Sequence, residues 1–303
     1  MPTKPAIVEP PNLTLPAASL RALLANLIDY AGLFPPAGLS MPNAVSKYAD
    51  YLKGEYAWVL GRFVLPASRL SEFAQAQSAI QPSTRWRLSC LLGSEMDSDF
   101  SAIRQFNDRD DAVVDSIETK AETIEQVSRM MARVPESMQV YFEVPSGCPF
   151  ELISAIQKRG ARIKIRTGGL VPESIPPDHA VASALLKFAS VRVAFKATAG
   201  LHHPLRCFKP LTYEPNAPAA TMHGFLNVFL AAALAYQGTS AKVAAILDSD
   251  RADQLHFGDG EAQFAEVTIP TDQIRIMRER FAISFGSCSF EEPIEDLRAL
   301  RLL

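Results

Sequence analysis

The sequence predicts an α/β protein built as a (β/α)8 TIM barrel, with a long helical insertion between strands seven and eight. Short β-like runs alternate with helical patterns from about residue 27 to the C-terminus, as in a parallel sheet wrapped by helices. Eight such runs can be counted, and eight is the number that closes a barrel. None is followed by Gly-x-Gly-x-x-Gly, so an open dinucleotide-binding sheet has no support.

Each element has a local reason. The first strand lies in Leu27-Ile-Asp-Tyr-Ala-Gly-Leu33 and is stopped by Pro35-Pro36. A helix from Ser40 to about Leu52 follows, with Pro42 in its first turn. Trp58 to Leu65 is the second strand, closed by Pro66, and Ser68 can cap the next helix. Trp86 to Leu92 is the third. The helix after it puts Phe100, Ile103 and Phe106 on one face. Ala112 to Glu118 is the fourth strand, followed by a helix carrying Ile124, Val127, Met130 and Met131. Gln139 to Val144 is the fifth, and Pro149 opens the next helix. Arg162 to Arg166 is the sixth, and Pro176-Pro177-Asp178 leads into a helix over Ala180 to Ala189. Arg192 to Thr198 and Ala282 to Gly286 are the seventh and eighth.

Composition agrees with one large core. Of 303 residues, 48% are hydrophobic and 21% charged, which excludes a disordered chain. Thirty Lys and Arg stand against 33 Asp and Glu, so no bulk attraction to nucleic acid is expected. Phe225 to Tyr236 is the greasiest stretch, but it is too short to cross a bilayer and is interrupted by Asn227. No membrane partner is expected. Cys90, Cys148, Cys207 and Cys288 form no Cys-x-x-Cys pair, which suits a reducing cytoplasm. The Pro-rich segment Met1 to Pro16 lacks the apolar core of a signal peptide. Residues 1–26 are therefore expected to be an N-terminal extension, and 27–303 a single barrel domain.

The interval between Thr198 and Ala282 is far longer than any other strand-to-strand repeat. Residues 199–280 are read as an insertion holding a Pro-rich loop, the apolar helix Thr221 to Tyr236, a second helix near Ala241 to Leu247 and the turn Phe257-Gly-Asp-Gly260. It leaves the C-terminal end of a strand, where barrel sites are built. Its expected role is a lid or an oligomerisation element, with the apolar helix as a surface for a second copy if it is not buried internally.

Candidate chemistry follows from strand alternation. Lys164 and Arg166 share one face of the sixth strand, while Ile163 and Ile165 share the other. On the seventh, Val193, Phe195 and Ala197 oppose Ala194, Lys196 and Thr198. Lys164, Arg166 and Lys196 should then point into one interior, to bind an anion or to turn a lysine into a neutral nucleophile. Asp29, Asp115 and Glu143, on three further strands, could complete the site. The alternative for each is a buried ion-pair network that only fixes the barrel interior. His202 or His203, just after the Lys196 strand, could act as acid or base. With His223 and His256 they lack the spacing of a metal site, and no metal or cofactor is called for. His223 and Asn227 share a face of the apolar helix and could look into the site or merely edge its core stripe. Cys288 is read as a small residue in a tight turn, since no base can be paired with it. Ser287 and Ser289 could hold an anion at a helix N-terminus.

These strand ends resemble those of the deoxyribose-phosphate aldolases. Lys164-Ile-Arg-Thr-Gly-Gly169 is similar to the family's Lys-Thr-Ser-Thr-Gly, and Phe195-Lys-Ala-Thr-Ala-Gly-Leu201 to its Lys-Ala-Ser-Gly-Gly-Ile/Val. Ile28-Asp-Tyr-Ala-Gly-Leu33 resembles its Ile-Asp-x-Thr-x-Leu, Val113-Val-Asp115 its Glu-Val/Ile-Asp, and Phe142-Glu143 its Ile-Ile-Glu. Phe285-Gly-Ser-Cys-Ser289 resembles the closing Gly-Thr/Ala-Ser. The resemblance implies a class I aldolase in which Lys164 forms a Schiff base, Lys196 lowers its pKa by like-charge repulsion, and Asp115 relays protons. It also implies that Asp29, Glu143, Thr167, Thr198, Gly200, Gly286, Ser287 and Ser289 line the substrate site. Two departures matter. Arg166 replaces a small polar residue and suits a carboxylate-bearing substrate. Ala199-Gly200 replaces a diglycine that helps hold phosphate.

The expected function is thus a Schiff-base-forming lyase acting on a small oxygenated carbonyl or carboxylate-bearing compound. Two alternatives stay open: a lysine general-base isomerase or epimerase on the same barrel, and a non-catalytic protein that binds an anionic metabolite.

Overall fold

The computed structural model describes residues 15–80, 84–145 and 147–303. The first fourteen residues of the expected N-terminal extension lie outside the described residues.

Along the chain, α1 (Ala18–Leu24) and β1 (Ile28–Tyr30) are followed by α2 (Met41–Lys53), β2 (Leu60–Pro66), α3 (Leu70–Ser78) and β3 (Trp86–Leu91). Next come α4 (Met96–Phe106), β4 (Ala112–Lys120), α5 (Ile124–Met131), β5 (Gln139–Glu143), α6 (Phe150–Lys158) and β6 (Arg162–Arg166). α7 (Asp178–Ser190) and β7 (Phe195–Thr198) lead to a hairpin of β8 (Cys207–Pro210) and β9 (Ala219–Met222). Then follow α8 (Phe225–Tyr236), α9 (Val243–Asp248) and the antiparallel sheet β10 (Leu255–Phe257), β11 (Glu261–Phe264) and β12 (Val267–Pro270). α10 (Thr271–Arg280), β13 (Ala282–Ser287) and α11 (Glu291–Ala299) complete the fold. Strands β1 to β7 and β13 pair in parallel in the order β1-β13-β7-β6-β5-β4-β3-β2 and close on themselves. The chain is a (β/α)8 barrel.

Local signals act where they stand. Pro42 occupies the first turn of α2, whose Met41, Ala44, Val45, Tyr48 and Ala49 form the buried stripe. Thr123 caps α5 in a reciprocal box with Gln126. On β6 and β7 the outward residues Ile163, Ile165, Phe195 and Ala197 are buried under the helices. Tyr30, Tyr48, Phe63, Phe73 and Trp86 pack ring against ring between β1 to β3 and α2 to α3. The inner face of the barrel, by contrast, is polar and charged.

The long interval after β7 is divided between the two ends of the barrel. The β8–β9 hairpin stands at the C-terminal mouth, where Leu211 and Met222 wall a cavity. The β10–β12 sheet lies at the other end against α1, where Gly258 accepts from the Ser19 N–H. Between them α8 packs on α7, α9, α10 and β13. Phe225 to Ala235 are all buried, and the Phe225 ring stacks 5.2 Å from Phe285. The surface for a second copy expected on this helix is therefore not there, because its apolar circumference is used inside the monomer.

Candidate active site

Lys164 and Lys196 sit side by side in register on β6 and β7. Both side chains are inside the barrel, 6% and 2% exposed, so neither charge can rely on water and both need protein partners. Glu118, from β4, supplies one to each. Its Oε2 lies 2.9 Å from Lys164 Nζ, and its Oε1 lies 2.7 Å from Lys196 Nζ. Glu143 on β5 adds a second carboxylate to Lys164 at 2.8 Å, and Asp29 on β1 a second to Lys196 at 2.6 Å. Five ionisable side chains from five strands thus form one connected chain, Glu143–Lys164–Glu118–Lys196–Asp29.

Supporting hydrogen bonds hold the carboxylates. The Ser89 hydroxyl donates to Glu118 Oε1 at 2.8 Å. The Ser284 hydroxyl and the Arg62 backbone N–H donate to Asp29, each at 2.8 Å. Gly61 is needed beside Asp29, because any Cβ at that position would collide with the carboxylate. Burial opposes ionisation of Glu118, but the Lys196 and Lys164 ammonium groups outweigh it and hold the carboxyl well below its usual range. Burial likewise opposes the charge on Lys196, and Asp29 and Glu118 more than reverse that, raising its pKa. Glu143, also partly desolvated, is lowered by Lys164 and Arg166.

Above the lysines a cavity of about 430 Å³ opens at the C-terminal strand ends. Lys164, Lys196, Glu118, Glu143, Arg166, Thr198, Gly200, His202 and Gly286 all line it, with Lys120 as a further cation. Arg166 is half exposed and only loosely paired with Glu143 at 3.4 Å, which leaves its guanidinium available to the cavity. His202 sets Nδ1 3.0 Å from Glu292, so its other nitrogen is left for the cavity. Gly200 has φ +77°, and a Cβ there would stand 2.8 Å from the Gly168 backbone. The loops after β6 and β7 can touch only because both positions are glycine.

Several expected site residues are elsewhere. Asp115 is not beside the lysines. Leu88 pairs with Val114 but Ser89 with Ser116, so Asp115 is the extra residue of a bulge. It faces the N-terminal mouth, in ion pairs with Arg62 and Arg87 at 2.6 Å. Beyond the bulge the strand's parity reverses and Glu118 turns inward. Asp29 lies beneath Lys196, on the side away from the cavity. Thr167 is buried and donates to the Ala199 carbonyl at 2.7 Å, tying two loops instead of facing substrate. The Ser287 hydroxyl accepts from the Ser289 N–H, and that of Ser289 from the Glu292 N–H. Both serines build the turn into α11, whose first turn carries Glu291 and Glu292 and so repels an anion.

The remaining histidines are also placed. His203 turns away from the cavity, with Nδ1 2.5 Å from Asp296. His223 bonds the Pro176 carbonyl, and Asn227 ties Arg206, Ile246 and Ser249, so neither looks into the site. His256 lies exposed on β10. Among the described residues no His, Cys, Asp and Glu side chains gather as a metal-ligand set, and no helix is long and apolar enough to cross a membrane. Cys288 borders the cavity, but burial raises its pKa and keeps it a thiol.

Strand alternation alone does not offer Glu118, the residue that joins the two lysines. A signal for it existed: it lies nearer than Asp115 to the C-terminal end of its strand, where barrel chemistry is placed.

No family model matches the chain, and no curated protein matches it. Among solved structures it is similar to a deoxyribose phosphate aldolase from Aeropyrum pernix, described as a tetramer. The two share 12% identity with a TM-score of 0.45, over 94% of this chain and 98% of that one.

Proposed function

We propose that this chain is a Schiff-base-forming lyase that breaks or makes a carbon–carbon bond in a small oxygenated carbonyl compound bearing a carboxylate. The observation that carries the reading is the Lys164–Glu118–Lys196 bridge opening on a cavity of small-molecule size. Two lysines in a barrel interior cost desolvation that an ordinary hydrophobic core would avoid.

Lys164 is the nucleophile in this reading, because it sits on the side of Glu143 and Arg166, whereas Lys196 is enclosed by Asp29 and Glu118. Lys196 is held charged by Asp29 and Glu118, and Glu143, 2.8 Å from Lys164 Nζ, is the carboxylate in reach to take the Lys164 proton. Neutral Lys164 Nζ adds to the substrate carbonyl, Glu143 returns the proton it took to the carbinolamine hydroxyl, and water leaves to give a protonated imine. That imine accepts the electron pair of the neighbouring carbon–carbon bond as it breaks. An aldehyde leaves, an enamine stays on Lys164, and protonation followed by hydrolysis frees the amine. His202, backed by Glu292, removes the proton from the substrate hydroxyl in cleavage and returns it in condensation. Arg166 grips the carboxylate of the substrate.

Borohydride reduction in the presence of small aldehydes, ketones and 2-oxo acids tests this, read by peptide mass spectrometry. A reduced adduct on Lys164 that is absent from Lys164→Arg is the expected result. An adduct on Lys196 would reverse the two lysines. No adduct on either from any carbonyl would favour the general-base or the anion-binding reading.

A further inference from the structure

The N-terminal mouth of a (β/α)8 barrel is ordinarily a stability face, yet here it holds a second cavity, of about 780 Å³, larger than the one above the lysines. Its wall is built of arginines from separate elements: Arg62 on β2, Arg87 on β3, Arg162 on β6 and Arg278 on α10. Negative charge falls short of them: Asp29 and Glu279 are the acidic residues that line the cavity. Asp115 alone serves both Arg62 and Arg87. Asp29 borders the cavity but spends one oxygen on Lys196 and Ser284 and the other on the Arg62 backbone.

The other two guanidinium groups meet no carboxylate among the described residues. Arg278 is 7% exposed and donates only to backbone carbonyls, including those of Leu23, Ala25 and Ala282. Its burial depresses its pKa to about 10, more than the nearby Asp29 charge offsets. Arg162 donates only to the Gln139 amide oxygen and the Tyr141 hydroxyl, both at 2.9 Å. Converging, under-neutralised guanidinium groups around an open cavity are the chemistry of multivalent-anion recognition. Tyr48 and Trp86 also line the cavity and add aromatic carbon to it.

We infer that the N-terminal mouth is a binding site for a small organic anion carrying at least two negative charges, distinct from the lysine cavity and separated from it by the Asp29–Lys196 layer. Its ligand is a phosphate ester or a polycarboxylate, both of which present planar or tripodal oxygens to arginine forks.

The test is isothermal titration of the full chain with pyrophosphate and, separately, with citrate, against sodium chloride matched in ionic strength. Saturable one-to-one binding of either anion is expected, and which of the two binds tells the phosphate from the carboxylate source. Arg162→Gln should weaken that binding about tenfold or more while its far-UV circular dichroism and the reduction of Lys164 adducts stay as in the parent. Arg87→Gln, at a half-exposed position, should weaken binding in the same direction without loss of fold. Heats no different from those of chloride, or saturable binding unchanged in both folded variants, would overturn the inference.

Discussion

Asp115 and Glu118 are three residues apart on one strand and have different work. Glu118 bridges both lysines in the interior, while Asp115 clamps two arginines at the opposite mouth. Replacing Glu118 by Gln removes one partner from a buried ionic network, a change that costs roughly 3–5 kcal/mol. It should also slow reduction of the Lys164 adduct by about a hundredfold, the range of a lost proton-transfer or charge-positioning group. Asp115→Asn should lower stability by about 1–3 kcal/mol through its two charge-assisted bonds and leave the rate of adduct reduction unchanged. Urea unfolding and the time course of borohydride reduction measure the two effects. If Asp115→Asn slowed reduction as much as Glu118→Gln, the separation of the two carboxylates would be wrong. The sequence presented both residues, but the inward one depends on a bulge in the pairing of β3 with β4. No run of side-chain types announces where two strands slip by one residue, because the slip is decided between them.

At the scale of elements, local chemistry was most legible where the signal acts within a few residues. Pro42 and Pro149 mark helix starts, and the Thr123–Gln126 box caps α5. Since Thr123 is exposed and remote from the lysines, Thr123→Ala should cost about 1 kcal/mol in urea unfolding. Its adduct chemistry should match the parent, and a loss of chemistry would mean that α5 reaches the site. Two elements have compositions that fit more than one use. The apolar helix α8 has the composition of an interface, yet its neighbours α7, α9, α10 and β13 surround it within one chain. Periodicity could not decide this, because a helix apolar on all sides has no preferred face to assign. The turn at Ser287 and Ser289 has the composition of an anion site, but the acidic first turn of α11 and the serines' own backbone bonds use up its donors.

For the whole molecule, pH couples these sites to stability. Glu118, Glu143, Glu292 and Asp115 have carboxyls held below their ordinary values of 4.5 and 3.8. Their contribution is present above those values and is lost as pH falls through the lower folded ones. Lys196 acts at the other extreme: its raised folded pKa gives a contribution complete below 10.5 that disappears as pH climbs through the folded value. Alkaline loss starts sooner, because burial holds the Cys90 thiol up and unfolding lets it ionise above 9.0. The urea midpoint should therefore be flat from about pH 5 to 9 and fall on both sides. A midpoint that rose on acidification below 4.5 would contradict the paired state of these carboxylates.

By itself, the sequence determined the barrel: its eight strands, most helix starts and the inward direction of Lys164, Arg166 and Lys196 follow from alternation and punctuation acting over a few residues. It also offered Asp29 and Glu143, together with Asp115, as carboxylates that could complete the site. Tertiary structure alone decided that Glu118 joins the two lysines, that Asp115 belongs to the far mouth, and that α8 is a wall of the monomer. It also decided that arginines from β2, β3, β6 and α10 share one cavity. The reason is the same in each case. Direction along one strand or helix is a local property of backbone geometry, whereas partnership between side chains far apart in the chain exists only once the barrel has closed.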